Sequence, residues 1–298
     1  MVFGWANDIT SEYTARILTN MNVVSLQDLS TFDLAAAANA NLAVHASWAQ
    51  RRTPGMRVIK TNDLVLVDSG LPCDTFNFVC RSRLAQDTAR ERIRATIDHF
   101  AAAGRPFSWW LSPGDQPLEL GEFLLDAGLQ RAETELAMAA DLGKLRHSEH
   151  SPDGLQIRRV RTAAQLRDFA NILAANWTPP NSEVLRFYEL TASALLANDS
   201  ALWQYVGYLG EAPVATAELT MGGGVVGLYN VCTQVDYRRR GFGTALTLIP
   251  LLDARAHGYL TAVLQASTDG ASVYTRVGFQ AFGQVTEYKL TNPDGIVP

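Results

Sequence analysis

The segment from Tyr229 to Thr244, YNVCTQVDYRRRGFGT, constrains the fold of this chain more than any other part of its sequence. Its first part continues a run of apolar and β-branched residues that predicts a largely buried strand. These residues are Val225, Val226, Leu228, Val231 and Thr233. A turn follows with three arginines and with Gly241 and Gly243 on either side of Phe242. From Thr244 onward, apolar residues recur at helical spacing, so the segment predicts a strand, a basic glycine turn and a helix.

This turn has the properties of a diphosphate site. Backbone N–H groups at a helix N-terminus are free and favour negative charge, and glycines let an anion approach the backbone closely. Other phosphate loops fit less well, because no Gly-Lys-Ser/Thr sequence is present and Leu246 stands where a dinucleotide loop needs its third glycine.

Two motifs carry a resemblance to a known family. Arg238-x-x-Gly241-x-Gly243 resembles the acyl-CoA pyrophosphate loop of the GCN5-related N-acetyltransferases (GNAT), written Gln/Arg-x-x-Gly-x-Gly/Ala. Downstream, Tyr274-Thr-Arg-Val-Gly278-Phe279 is similar to the Tyr-x-x-x-Gly-Phe motif of that family. The order of the motifs, their separation and the helix–strand pattern between them also match.

Composition sets broad limits. A chain of 298 residues with 47% hydrophobic and 18% charged residues suits two modest domains or one large one. A net charge of −5 gives no general attraction to nucleic acid. The three cysteines are too few for a disulfide framework, and with no Cys/His cluster at zinc spacing we expect no metal. Without a signal-peptide pattern or a bilayer-spanning apolar run, we expect a soluble, cytoplasmic protein.

The order of elements divides the chain into two similar halves. The first reads as a helix capped at Ser30 or Thr31, strands, a helix, a strand, a short helix and a strand over 133–140. The polar segment 143–154, with His147 and His150, is the best linker. We therefore predict an α/β (α+β) chain of two tandem GNAT-like domains, residues 1–145 and 154–298. Each should have a mixed, mostly antiparallel sheet flanked by helices, with splayed central strands in the second domain.

The first half lacks a donor loop. Where that loop should stand, the sequence reads Val79-Cys80-Arg81-Ser82-Arg83-Leu84 and contains no glycine. The segment SWWLSPGDQP over 108–117 resembles one in bacterial acetyltransferases with a degenerate N-terminal half. We expect no CoA binding here and a structural role, which can include one wall of the acceptor pocket.

The resemblance implies an acetyl-CoA or coenzyme A site in the second half. The loop would bind the diphosphate, and the exposed backbone of the central strand would bind the pantetheine arm. That strand splays from the next one, which leaves an N–H group to polarise the thioester carbonyl. The implied donor residues are Val231, Cys232, Thr233, Arg238, Arg239, Arg240, Gly241, Phe242, Gly243 and Thr244.

In this fold the first two helices of the domain and their connection cover the acceptor amine. The resemblance therefore makes Trp177 and Tyr188 candidate pocket residues, with Phe187 either in the pocket or in the core. Asn230, together with Tyr229 in the central strand, could position a water that relays a proton.

Three residues are candidates for the chemistry. Tyr274 is the candidate general acid, because a phenol with a pKa near 10 can donate to a thiolate whose acid has a pKa near 8.5; packing alone is the alternative. Ser267 stands where many relatives carry Asn, and could bond a water or the thiol. Glu218 is the candidate base, and the sequence leaves open whether its side chain faces inward or outward.

The expected function is transfer of an acetyl or other short acyl group from acyl-CoA to a small-molecule amine in a direct ternary complex. One alternative is a transferase with a non-acetyl or aminoacyl-tRNA donor, and another is a non-catalytic acyl-CoA sensor. We expect no nucleic-acid or membrane partner, and a monomer in which the two halves form an internal pseudo-dimer.

Overall fold

The computed structural model describes residues 24–146 and 152–290, whose strands join into a single eleven-stranded sheet. The strands of the first half are β1 (Arg57–Lys60), β2 (Val65–Asp68), β3 (Phe78–Cys80), β4 (Ser108–Leu111) and β5 (Leu129–Asp141). Those of the second half are β6 (Leu155–Arg159), β7 (Leu202–Leu209), β8 (Ala212–Gly222), β9 (Val225–Thr233), β10 (Thr261–Ala266) and β11 (Gln280–Leu290).

Seven α-helices accompany the sheet within the described residues. They are α1 (Thr31–Ser47), α2 (Ala89–Ala102), α3 (Leu120–Asp126), α4 (Ala163–Ala174), α5 (Ser182–Leu195), α6 (Phe242–Ala256) and α7 (Ala271–Val277). Their ends follow the expected signals: the Ser30 hydroxyl accepts a hydrogen bond from Asp33 N, and Gly278 ends α7 at a φ of 118°. Among the described residues, no helix has both the length and the apolar content needed to cross a membrane.

Most predicted elements are confirmed, with small shifts at their ends. The sequence favours Ser182 as the cap of α5, but the cap is Asn181, whose Oδ1 accepts a hydrogen bond from Glu183 N at 2.9 Å. The strand predicted over 133–140 begins earlier, at Leu129. Residues up to 23 and the linker histidines His147 and His150 lie outside the described residues, and the domain boundary there stays a prediction.

The two halves share one sheet because their last strands are interleaved. The strand order is β1-β2-β3-β4-β11-β5-β10-β9-β8-β7-β6. β5, from the first half, lies between β11 and β10 of the second half and is antiparallel to both. β11 in turn pairs with β4. The two GNAT-like halves predicted from the sequence are therefore joined by strand pairing rather than side by side as two separate sheets.

Helix α1 of the first half packs across the β8–β9 hairpin of the second. Asn41 is fully buried, and its Nδ2 donates to the carbonyl oxygens of Thr220 at 2.9 Å and Gly222 at 3.0 Å. The glycines at 222–224 predict a turn between β8 and β9, and it is present, with φ of 66° at Gly223 and 77° at Gly224. A Cβ on Gly227 would overlap the Asn41 side chain, so this glycine permits the close approach of α1.

Candidate active site

The central strands β9 and β10 separate part of the way along their length. They are parallel and pair only through Val226–Leu228 of β9 and Ala262–Leu264 of β10. β9 nevertheless continues to Thr233, with its other edge paired to β8. The backbone of β9 beyond Leu228 therefore has one edge without a strand partner, as predicted. Unpaired backbone N–H and C=O groups at such an edge are available to a ligand.

A β-bulge marks the start of this open edge. Thr216 pairs with Cys232 and Glu218 with Tyr229, so that Asn230 and Val231 together stand opposite one residue of β8. Asn230 has a φ of 53°, a conformation that asparagine adopts more readily than most residues. The bulge also separates the side chains: Val231 packs against the core beneath α6, and Cys232 against the core beneath α4 and α5.

The loop after β9 presents free backbone N–H groups at the start of α6. Gly241, at a φ of 82°, precedes the helix, and the first helical hydrogen bond runs from Ala245 N to Gly241 O at 3.1 Å. The N–H groups of Phe242, Gly243 and Thr244 come before that bond and have no intrahelical acceptor. The predicted anion-binding geometry is therefore present at this end of the helix.

The side chains of this loop have different surroundings. Arg238 Nε donates to the carbonyl oxygen of Thr233 at 3.0 Å, which ties the loop to the end of β9. The Arg240 guanidinium lies over the rings of Tyr237 and Phe242, and Arg239 is exposed with a φ of 59°. The Phe242 side chain is buried in the core, so this predicted donor residue can offer a ligand only its backbone.

A cavity of about 220 Å³ lies at the open edge of β9, between the two halves of the molecule. The predicted acceptor residues Trp177, Tyr188 and Asn230 line it, together with Phe187 and the donor residues Val231 and Cys232. The first half supplies the opposite wall. That wall consists of His45, Ala46, Ala49, Gln50, Thr75, Phe76 and Phe78.

Glu218 faces inward, which settles the alternative that the sequence left open. Its side chain lines the cavity, the residue is 1% exposed, and Oε2 accepts a hydrogen bond from Gln204 Nε2 at 2.9 Å. Nδ1 of His45 lies 2.9 Å from the other oxygen, Oε1, but not along a hydrogen-bond direction. Within the described chain, Oε1 therefore lacks a hydrogen-bond donor. A buried carboxylate oxygen in this state is a strong acceptor in the wall of the cavity.

Polar groups surround this carboxylate. The His45 ring stacks on Tyr229 with centroids 3.9 Å apart, and Asn230 Nδ2 donates to the Tyr188 hydroxyl at 3.4 Å. Burial, with a smaller effect of the Glu218 charge, raises the pKa of Tyr188 well above its ordinary value. Burial likewise raises the pKa of Tyr229, with smaller electrostatic effects from Cys80 and Glu218. Both phenols therefore stay protonated at neutral pH.

The other cavity residues divide between its rim and its walls. Trp177 is 39% exposed and stands at the rim, whereas Phe187 is both core and wall, stacked on Phe76 with centroids 3.9 Å apart. The Cys232 thiol lies 3.2 Å from Asn176 Oδ1, and burial raises its pKa. Cys232 is therefore a neutral lining residue at pH 7.

Tyr274 and Ser267 lie together at the end of β10, away from this cavity. The Ser267 hydroxyl accepts the Gly270 N–H at 3.2 Å, so it caps the turn before α7. A Cβ on Gly270 would lie 3.2 Å from both Ser267 Oγ and the Tyr274 ring, which places the two side chains near each other. Burial, with a smaller contribution from Glu135 on β5, raises the pKa of Tyr274 to about 12.

The sequence predicted that the first half could supply a wall of the pocket, but it did not identify the residues of that wall. His45 and Gln50 were part of an alanine-rich helix and its end, and Phe76 and Phe78 were strand residues. A signal was nonetheless present in α1, where Asn41 and His45 are polar residues one helical turn apart in a run of alanine and leucine. Polar side chains at this spacing on an otherwise apolar helix indicate a buried polar contact.

Comparison with solved structures identifies the fold, although no protein-family model and no curated protein matches the sequence. A GCN5-related N-acetyltransferase from Kribbella flavida superposes with a TM-score of 0.66 at 19% identity, over 86% of this chain and 96% of that one. One from Sphaerobacter thermophilus gives a TM-score of 0.54 at 13% identity, over 86% and 91%.

A tandem GNAT protein from the clavulanic acid biosynthesis pathway is also similar, with a TM-score of 0.52 at 14% identity over 95% of both chains. This chain therefore has the fold of the GCN5-related N-acetyltransferases. Its similarity to the tandem protein extends over both halves, as the two motifs and the repeated order of elements predicted.

Proposed function

We propose that this protein is an N-acyltransferase that moves an acetyl or other short acyl group from acyl-CoA to the amine of a small molecule. One observation carries the proposal: the open edge of β9 connects the N–H groups at the start of α6 with a cavity that contains a buried carboxylate. A donor diphosphate and an acceptor amine thus have complementary partners at the two ends of one strand segment.

The donor would bind at the second half alone. The N–H groups of 242–244 and the cations of Arg238 and Arg239 would bind the diphosphate, and the free edge of β9 would bind the pantetheine amides. An N–H group at the Asn230 bulge would stabilise negative charge on the thioester oxygen during attack. The segment 79–84 of the first half contains no glycine, and we assign no donor site to it.

The reaction would form a C–N bond and break the C–S bond of the thioester. Glu218 would accept a proton from the ammonium form of the acceptor, directly or through a water held near Asn230 and Tyr188, and the free amine would attack the carbonyl carbon. Tyr274 would donate its proton to the departing thiolate. In sum an ammonium and a thioester become an amide, a thiol and one released proton.

Calorimetric titration with acetyl-CoA is the experiment that tests this function. We expect saturable binding at one site per chain, and release of free thiol when an amine is added. Absence of binding to folded protein would contradict the proposal, and two equivalent sites would contradict the assignment to the second half. Binding without thiol release across an amine panel would instead support a sensor.

Replacing Gly241 by valine should raise the Michaelis constant for the donor with a smaller effect on turnover. The backbone of Gly241 has a φ of 82°, which a β-branched residue adopts only with strain, and the new side chain would shield the N–H groups of α6. Gly104→Val is a matched control, because Gly104 has a φ of 60° in open space in the first half. An unchanged donor constant in folded Gly241→Val protein would remove this loop from the donor site.

A further inference from the structure

The cavity beside Glu218 has an unusual balance of hydrogen-bonding groups. Two of its lining side chains have buried oxygens without a donor in the described chain, namely Glu218 Oε1 and Gln50 Oε1. Glu218 is 1% exposed and Gln50 is 4% exposed, so bulk water does not compensate either oxygen. Leaving such acceptors unpaired is costly, and a bound group with several N–H donors would satisfy them. A primary ammonium has three.

The charged side chains around the cavity also restrict which acceptors can bind. No lysine or arginine within the described residues lines the cavity, and His45 is the basic residue among those that do. His45 already lies beside the Glu218 carboxylate. An acceptor that carried a carboxylate or phosphate would therefore bury that group without a cationic partner, which is strongly unfavourable.

The remaining walls are apolar. Phe76 and Phe187 stack on each other with their planes 5° apart, and Val184, Leu195 and Leu202 are buried beside them. Apolar cavities of about 150 Å³ bind benzene. A cavity of about 220 Å³ thus has room for one ring or a branched alkyl group together with a short aminoalkyl arm.

We propose that the acceptor is a small primary monoamine with an aromatic or branched aliphatic body and no anionic group, whose ammonium binds Glu218 and Gln50 and whose body lies against Phe76 and Phe187. This inference rests on the proposed function, because the bound amine is acylated only if the protein is an acyltransferase. It assigns the cavity between the halves as the specificity site, with one wall from each half.

Acceptor kinetics with acetyl-CoA test the proposal. The probes are 2-phenylethylamine, L-phenylalanine, which adds only a carboxylate, and ethylamine, which lacks the ring. We expect kcat/KM for 2-phenylethylamine to exceed that for L-phenylalanine by at least about 100-fold, because the carboxylate would be buried unpaired. The kcat/KM for 2-phenylethylamine should exceed the kcat/KM for ethylamine by about 10- to 100-fold, because only the former buries a ring.

Spermidine and an aminoglycoside such as kanamycin are the opposing probes. Higher kcat/KM with either of them, or with L-phenylalanine, would overturn the assigned acceptor class and leave the acyl-CoA function standing.

Direct binding separates this inference from the proposed function. If acetyl-CoA does not bind, the proposed acyltransferase function is refuted. Titration of 2-phenylethylamine into the protein alone still tests whether the cavity binds an amine. Binding that Glu218→Gln weakens about tenfold or more would support the assignment, with Glu211→Gln as the control for loss of an exposed carboxylate on the same hairpin. No binding of 2-phenylethylamine to the folded chain would overturn it.

Discussion

Replacement of Glu218 by glutamine should lower kcat/KM for the amine by about 10²- to 10⁴-fold, the range of a lost general base. The substitution preserves the shape of the side chain and an acceptor for Gln204 Nε2, so the contacts around the cavity are retained. It removes the negative charge that would hold the ammonium and accept its proton. Affinity for acetyl-CoA should hardly change, because Glu218 lies on β8, away from the loop before α6.

Thiol-release kinetics for the amine and calorimetry for the donor would separate these effects. Glu211→Gln should retain full activity, since Glu211 is exposed at the β7–β8 turn. If Glu218→Gln kept the activity of the unaltered protein with every amine tested, the base would have to be sought elsewhere, with His45 as the nearest candidate.

Tyr274→Phe should reduce turnover by about 10- to 10⁴-fold while donor affinity stays the same, because the hydroxyl would meet charge that develops on sulfur only during the reaction. Burial raises the pKa of this phenol to about 12. The raised pKa favours the neutral phenol, so Tyr274 should remain protonated across the usual pH range of an assay. We therefore expect no loss of activity from ionisation of Tyr274 between pH 7 and about pH 10.

Steady-state rates, together with donor titrations, would check this expectation. Tyr208→Phe is the matched control, because it removes a buried phenol whose hydroxyl bonds Asp168 on a different part of the second half. Full turnover by Tyr274→Phe, in an assay where chemistry limits the rate, would assign protonation of the thiolate to water or to the amine's own proton.

Local patterns in the sequence were sufficient for the fold class and for the geometry of the loop before α6. The positive φ at Gly241, the start of α6 and the cap at Gly278 all depend on neighbouring residues, so short motifs predict them. The inward direction of the Glu218 side chain was harder to predict from the sequence. Alternation of side chains along β8 allowed Glu218 to face either side of the sheet. The β-bulge at Asn230 also shifts the register between β9 and β8, and the alternation does not reveal that shift.

The wall from the first half and the sheet order depend on contacts between distant segments. His45 and Glu218 are in contact although they lie far apart in the sequence, and no local pattern connects them. β5 was identified as a strand, but strand patterns state neither which partners it takes nor on which side. The sequence therefore predicted that the first half could supply a wall of the acceptor pocket, but not which of its residues line the cavity.

The interleaved strands affect how the protein can be made. On the ribosome β4 and β5 emerge well before β10 and β11, the strands that flank β5 in the finished sheet. Until residues 261–290 have been synthesised, β5 has two unpaired edges and β4 has one, the kind of edge that pairs with other chains. The sheet of the first half thus stays incomplete until β11, the last strand of the described residues, has been synthesised.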